Sequence, residues 1–555
     1  MRLALCQLNP TVGDVDGNAA LVVEAARRAA GAGADVAVFP ECVISGYPAE
    51  DLWLKPHFIE RCANALEAIL DELPTGLTCV IGFPEAVEGA CCNSALVARD
   101  GERLGTYRKQ HLPNYAVFDE HRWFTSDDEA LVLDVPTSAG GTGRVGITIC
   151  EDAWVTHGPV VQAAGQGASI VVNLSASPWR IGRAVDREAI VAERARESGV
   201  WFALCNQVCG QDELVFDGHS LAAAPDGTIV ARGAQFRSDL VLVDVGDGAA
   251  AEPAAPAELD VLEAEAWEGL RLGLGDYVRK NGFRSVVIGL SGGIDSALVL
   301  ALAVDALGAD QVHAVTMPSR FSSAGTRDDA HLQALRLGVA MSELPIEGIV
   351  TSFESALAES FAGLPPDVTE ENLQARVRGT LLMALSNKHG HLVLATGNKS
   401  EYSVGYATLY GDMNGGYAPI KDVPKTRVFR LARWRNELAE AAGEAPMIPP
   451  SVIERPPSAE LREDQRDSDS LPDYDELDGI LELLVDADRG IEDAVAAGYE
   501  RDVVERIQRM LDRAEYKRRQ APPGVRVTAK AFGRDRRVPI TNAFDGHVAS
   551  RVERS

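Results

Sequence analysis

The stretch Gly289-Leu290-Ser291-Gly292-Gly293-Ile294-Asp295-Ser296 lies between an apolar run at Ser285–Leu290 and an almost wholly apolar run at Ala297–Leu307 that Gly308 closes. This pattern predicts a strand, a tight loop and a helix. Glycines there allow the backbone close to a bound group, and the unpaired N–H groups of a helix start favour an anion. Ser291 and Ser296 add hydroxyls. Asp295 alone would repel a phosphate, so a magnesium ion between its carboxylate and phosphate oxygens is expected. No Gly-Lys dipeptide occurs in the chain, which excludes the lysine-bearing phosphate loop.

A second set of residues suits attack on an amide. Glu41 follows VAVFP, Lys109 lies in TYRKQHLPNY, and Cys150 lies in GITICEDAW, each at or just past a predicted strand end. Strand ends are where catalytic groups gather in α/β folds. A cysteine attacks as its thiolate, which is a minority species for an ordinary thiol of pKa about 8.5, so a base is needed. Glu41 can be that base and Lys109 can stabilise an oxyanion.

The elements that must hold these groups are short buried strands alternating with helices. In the first half, strands are expected at Leu3–Leu8, Val36–Phe39, Cys79–Gly82, Ser94–Ala98, Leu104–Arg108, Val145–Ile149, Ile170–Asn173 and Trp201–Cys205. Helices are expected near 18–30, 56–73, 158–166 and 184–198. One α/β domain over residues 1–245 is followed by an aperiodic, proline-bearing linker at 246–258 and a second domain over 259–555. The second domain opens on an amphipathic helix ended by Asn281-Gly282. Strands at Val312–Thr316 and Leu392–Ala395, with helices near 324–337 and 371–389, extend a parallel doubly wound sheet. Residues 454–478, rich in Pro, Asp and Ser, read as a loop that orders over a nucleotide or as a solvated acidic segment. The segment RAEYKRRQAPPGVRVTAKAFGRDRR carries nine Lys/Arg against two acids, suggesting an anion site or a tail docked on acidic surface.

Composition narrows the partners. The chain has 555 residues and a formal net charge of −29, which disfavours nucleic acid. No signal-peptide pattern opens the sequence and no run of about twenty apolar residues could span a membrane, so a cytoplasmic enzyme is expected. Nine cysteines, all before residue 210 and without a CxxC pair, suggest neither a disulfide framework nor a zinc site.

Three resemblances sharpen these readings. The octet Gly289–Ser296 resembles the pyrophosphate loop of the ATP pyrophosphatases, which transfer AMP to a carboxyl or carbonyl group. The sequences around Glu41, Lys109 and Cys150 resemble the Glu-Lys-Cys triad of the nitrilase family, which implies an N-terminal αββα sandwich acting through a thioester. That resemblance also places Glu120 beside the triad and Tyr115, Glu151, Ser177 and Arg183 on a glutamine substrate. Taken whole, with NQVCGQDELVFDGHS, MPSR, ENLQARVRG, ATGNKSE, VGYATLYGDMNGG, KDVPKT and EYKRRQAP, the chain is similar to the glutamine-dependent NAD synthetases. The family resemblance implies ATP binding at Gly289, Leu290, Ser291, Gly292, Gly293, Ile294, Asp295, Ser296 and Thr396. It further implies magnesium at Asp295 and Glu401, deamido-NAD at Asn372, Glu401 and Lys517, and a homo-oligomer. Another carboxylate as acceptor, or a non-catalytic nucleotide or glutamine sensor, are the competing readings. Ammonia released by one half has to reach the other as the free base, so a sheltered route is expected.

Overall fold

The computed structural model describes residues 1–246, 252–257, 261–463 and 465–542, in two compact units, Met1–Leu262 and Glu263–Ser555. Residues 247–251 and 258 of the expected linker lie outside the described residues, as does the chain beyond 542. Residues 252–257 run along the first unit. Ala254 N donates to Ile229 O at 2.9 Å, and Arg232 donates to the carbonyls of Ala254 and Ala255.

Two six-stranded sheets form the first unit. The strand order of one is Asp239–Asp244, Arg2–Gln7, Val36–Val38, Thr78–Val87, Ala90–Arg99 and Glu102–Arg108. The other runs Ile229–Arg232, Leu221–Ala223, Trp201–Asn206, Ile170–Ser175, Thr142–Ile149 and Leu131–Pro136. Alternation within the strands explains the layers, because successive side chains face opposite sides of a sheet. Leu3, Leu5, Val36 and Val38 meet Ile147, Ile149, Val172 and Leu174 in a core between the sheets. Ala4, Cys6, Ala37 and Phe39 point outward beneath the helices Val15–Gly31 and Pro56–Leu70, while Val171, Phe202 and Leu204 lie beneath Pro159–Gly165 and Arg183–Ser198. Both faces are covered, so the strands read as continuous apolar runs. The result is the expected αββα sandwich.

The second unit carries a four-stranded parallel sheet in the order Ala340–Glu343, Val312–Thr316, Val286–Gly289, Leu392–Leu394. Its edge strand Ala340–Glu343 escapes the sequence pattern because its residues are mostly exposed. Ile294–Leu307 is the buried helix after the glycine loop, and it begins at Ile294 rather than Ala297, so Asp295 and Ser296 belong to its first turn. Val287, Val315 and Val393 pack one sheet face on Val377 and Leu382 of the helix Val368–His389. The basic tail pairs its arginines mostly with its own two acids and is fastened to the rest of the unit through its backbone. Asp422 accepts from the backbone N–H groups of Val527 and Thr528, Arg526 pairs with Asp535, and Glu515 gathers Arg518, Arg519 and Arg536. Among the described residues, no helix is long and apolar enough to cross a membrane.

Candidate active sites

In the first unit Glu41 leaves the strand Val36–Val38 through a turn that presses on its neighbour. A Cβ on Gly82 would lie 2.4 Å from Pro40 O and 2.6 Å from Cys42 N, so only glycine lets the turn pass. Glu41 and Glu120 then meet on Lys109, whose Nζ donates to Glu41 Oε1 at 2.7 Å and to both Glu120 oxygens at 2.9 Å. All three side chains are fully buried. Burial works against the ammonium, but Glu120 and Glu41 outweigh it and hold Lys109 well above its ordinary range. Two carboxylates on one cation leave an excess negative charge out of water. Glu120 absorbs it, with burial and nearby Glu41 pushing its carboxyl up to about 7 against the pull of Lys109. Tyr47 Oη donates to Glu120 Oε1 at 2.6 Å.

Cys150 starts a 3-10 turn after the strand Thr142–Ile149 and sits at φ 40°, in the left-handed region. Such backbone strain in a non-glycine residue is characteristic of functional sites. Asp152 maintains the turn. Its carboxylate accepts from Ile149 N at 2.9 Å, from His111 N at 3.0 Å and from Tyr107 Oη at 2.7 Å, which ties the cysteine turn to the segment that follows Lys109. Burial, with help from Glu41, raises the Cys150 thiol well above its ordinary range, and Lys109 opposes the shift. The resting thiol is therefore protonated, and its proton has to leave as the sulfur attacks.

The expected glutamine residues surround this turn. Tyr115 Oη donates to the Glu151 carboxylate at 3.0 and 3.1 Å, and the Arg183 guanidinium lies 3.9 Å over the Trp154 ring. Ser177 is anchored by its backbone N–H to Asn206 Oδ1 at 2.9 Å, while its buried hydroxyl has no partner.

The second site surrounds the glycine loop. Gly292 sits at φ 81°, and a Cβ there would lie 2.1 Å from Thr326 O. Ser291 Oγ accepts from Gly293 N at 3.1 Å and lies 3.1 Å from Ser296 Oγ, which fixes the loop. One cavity is lined by the loop Gly289–Ser296, Thr396, Glu401 and Lys425. Segment 455–461 closes over it, with Arg455 Nη1 donating to Gly292 O at 3.3 Å and Glu460 accepting from Thr326 Oγ1 at 2.9 Å. Asn372 and Lys517 stand beside the cavity rather than in its wall. Thr408 Oγ1 donates to Asn372 at 2.7 Å, and Lys517 Nζ donates to Gly405 O and Ala407 O at 2.8 and 2.7 Å.

Asp295 and Glu401 do converge, on a group that sequence reasoning had not assigned. Lys425 Nζ donates to Asp295 Oδ2 at 2.6 Å and to Glu401 Oε1 at 3.1 Å. Asn398 supports both acids, donating to Asp295 Oδ1 at 2.9 Å and accepting from Glu401 N at 3.0 Å. Burial pushes the Glu401 carboxyl up to about 8, with Lys425 pulling it down and Asp295 adding to the rise. Two carboxylates already directed at one cation suit a hard metal ion that takes its other oxygens from phosphate and water. Among the described residues, no group of three or more His, Cys, Asp or Glu side chains could hold a metal unaided. Lys425 was legible only as part of KDVPKT, since a lysine after proline carries no signal by itself.

A thiol amidase site in an αββα sandwich and a glycine-loop site on a parallel sheet define a two-domain enzyme of the amide-transferring class. Family comparison agrees: residues 2–252 match the carbon-nitrogen hydrolases and residues 266–521 match NAD synthase. The chain is 48% identical over 550 residues to the glutamine-dependent NAD(+) synthetase of Xanthomonas campestris, covering 98% of both. It is 43% identical to that of Thermotoga maritima, covering 98% of this chain and 99% of the other. The Acinetobacter baumannii glutamine-dependent NAD+ synthetase, solved with adenosine diphosphate, superposes with a TM-score of 0.76 at 42% identity over 98% of each chain. The chain belongs to the glutamine-dependent NAD(+) synthetase family.

The charge balance around Lys109 yields a pH prediction. A carboxyl held near 7 in the fold against about 4.3 unfolded contributes stability at low pH that is lost as pH rises between those values. Glu120→Gln removes that titration, so its melting temperature relative to the unsubstituted protein should rise between pH 5 and pH 8. A difference that stays flat or falls over that range contradicts the assignment.

Proposed function

We propose that the chain converts deamido-NAD, ATP and glutamine to NAD, AMP, pyrophosphate and glutamate, with the two units dividing the work. The observation that carries this reading is the pairing of a buried Glu41–Lys109–Glu120 cluster beside Cys150 with a glycine loop facing Glu401 and Lys425. Tyr115, Glu151, Ser177 and Arg183 hold glutamine. Cys150 Sγ attacks its amide carbon as Glu41 takes the thiol proton, and Lys109 lends positive charge to the developing oxyanion. Glu41 returns the proton to the departing nitrogen, leaving a thioester that water hydrolyses to glutamate.

In the second unit the loop Gly289–Ser296 and Thr396 hold ATP. The nicotinate carboxylate of deamido-NAD, gripped from Asn372, Glu401 and Lys517, attacks the α-phosphorus and pyrophosphate leaves. Ammonia then displaces AMP from the acyl-adenylate to form the amide. Magnesium held by Asp295 and Glu401 would neutralise phosphate charge. Lys425 is then free to donate to a phosphate oxygen. The Acinetobacter baumannii relative was solved in complex with adenosine diphosphate, which supports an adenine nucleotide as a ligand of this chain. The reading also makes the chain a cytoplasmic homo-oligomer. Leu335, Leu364 and Val368 are 79%, 67% and 61% exposed, apolar surface that self-association would cover; a monomer mass by light scattering removes that part.

An acceptor panel tests the reaction. With ammonium as nitrogen source, AMP should form with deamido-NAD and fall to background with other carboxylates, whereas equal AMP from a different acid would assign another product. Nitrogen transfer has its own test, because ammonium in neutral water has no lone pair to attack with. Glutamine labelled in the amide should pass nearly all its label into NAD in the presence of excess unlabelled ammonium. Dilution to the bulk ratio would show that ammonia escapes to solvent.

A further inference from the structure

Asn93 lies in the strand Ala90–Arg99 and is fully buried. It faces the catalytic cluster without belonging to it. Its Nδ2 donates to Glu41 Oε1 at 2.7 Å, the same oxygen that accepts from Lys109 Nζ at 2.7 Å. The amide cannot turn over, because Cys42 Sγ donates to Asn93 Oδ1 at 3.3 Å and so directs the NH2 group toward Glu41. Asn93 O also accepts from Lys109 N at 2.9 Å. One residue thus touches the base through its side chain and the lysine through its backbone. Glu41 Oε2, in contrast, accepts one bond, from Ala176 N at 3.0 Å.

We propose that Asn93 is a positioning residue for the glutaminase reaction, fixing with Lys109 the plane of the Glu41 carboxylate so that its other oxygen is presented to the Cys150 proton, and that Cys42 sets the orientation of Asn93. This rests on the glutaminase reading of the first unit. A carboxylate can swing about its terminal torsion, which is broad and roughly two-fold. The Lys109 bond alone leaves the carboxylate plane free to turn about the oxygen it holds. A second donor that cannot reverse removes that freedom.

Asn93→Leu keeps nearly the same shape and removes the donor, and Asn93→Ala removes the side chain. In each, kcat for glutamine hydrolysis should fall by about tenfold to a hundredfold, the range in which misplacement of a reacting group acts. KM for glutamine should stay within about twofold, because no glutamine-holding residue is altered. Cys42→Ser, which retains a donor, should act like the unsubstituted protein, while Cys42→Ala should show part of the Asn93→Ala loss. Ammonium-driven synthesis serves as the folding control. Full kcat in Asn93→Leu overturns the proposal, as does a loss confined to KM. A parallel Cys150→Ala sample separates the two readings. If it loses glutamine hydrolysis while Asn93→Leu does not, only the proposal falls; if Cys150→Ala still hydrolyses glutamine, the glutaminase reading falls.

Discussion

A lysine ammonium buried between two carboxylates organises each unit. Lys109 links Glu41 to Glu120, and Lys425 links Asp295 to Glu401. Placing ions out of water is expensive, and removing one partner of such a cluster typically costs about 3–5 kcal/mol because the remaining charges are stranded. Neither arrangement is needed for a hydrophobic core to form. Each holds charge at one end of a parallel strand set, where a substrate can exploit it. In the first unit the cluster has an excess acid and keeps it partly protonated at Glu120. In the second, Lys425 faces the same excess of acid, and Glu401, pushed up to about 8, carries it at the place where nucleotide charge is expected.

The rest of the architecture positions these clusters. Glu41, Cys150 and Ser177 all emerge at strand ends, from strands whose alternating faces are filled by the inter-sheet core on one side and helices on the other. At two turns the backbones approach too closely for a side chain. Gly82 lets the Glu41 turn through, and Gly292 brings the nucleotide loop against Thr326 O. Asp152 and Asn93 are the polar counterparts of these contacts. Asp152 ties the cysteine turn to the segment after Lys109, and Asn93 ties the base to the lysine strand. The network around the cysteine is consequently over-determined, which is how a strained φ of 40° at Cys150 can persist.

Much of this was legible in the sequence because burial on both faces leaves long apolar runs, and because glycine and proline mark where those runs stop. The Ser-Gly-Gly-x-Asp-Ser loop and the flanks of Glu41, Lys109 and Cys150 could be placed at strand ends on that basis alone. Edge elements were not legible: Ala340–Glu343 carries little apolar signal because a sheet edge buries little. Long-range polar partners were equally hidden. Asn93 lies 52 residues from Glu41 and Lys425 lies 130 from Asp295, and an asparagine or lysine has no local periodicity that reveals its partner. The basic tail illustrates the limit of charge counting. Five of its nine cations, Arg518, Arg519, Arg526, Lys530 and Arg536, pair with Glu515, Asp535 and Asp488, so the excess of Lys/Arg overstates the charge open to an anion.

The central claim is that the two buried clusters serve separate chemistries, nitrogen release in the first unit and carboxylate activation in the second. Its most direct test is NAD formation by Cys150→Ala measured side by side with glutamine and with a high concentration of ammonium salt. The account predicts that glutamine-driven formation disappears while the ammonium-driven rate stays close to that of the unsubstituted protein. Loss of both rates in a variant that still melts cooperatively at the usual temperature would contradict it.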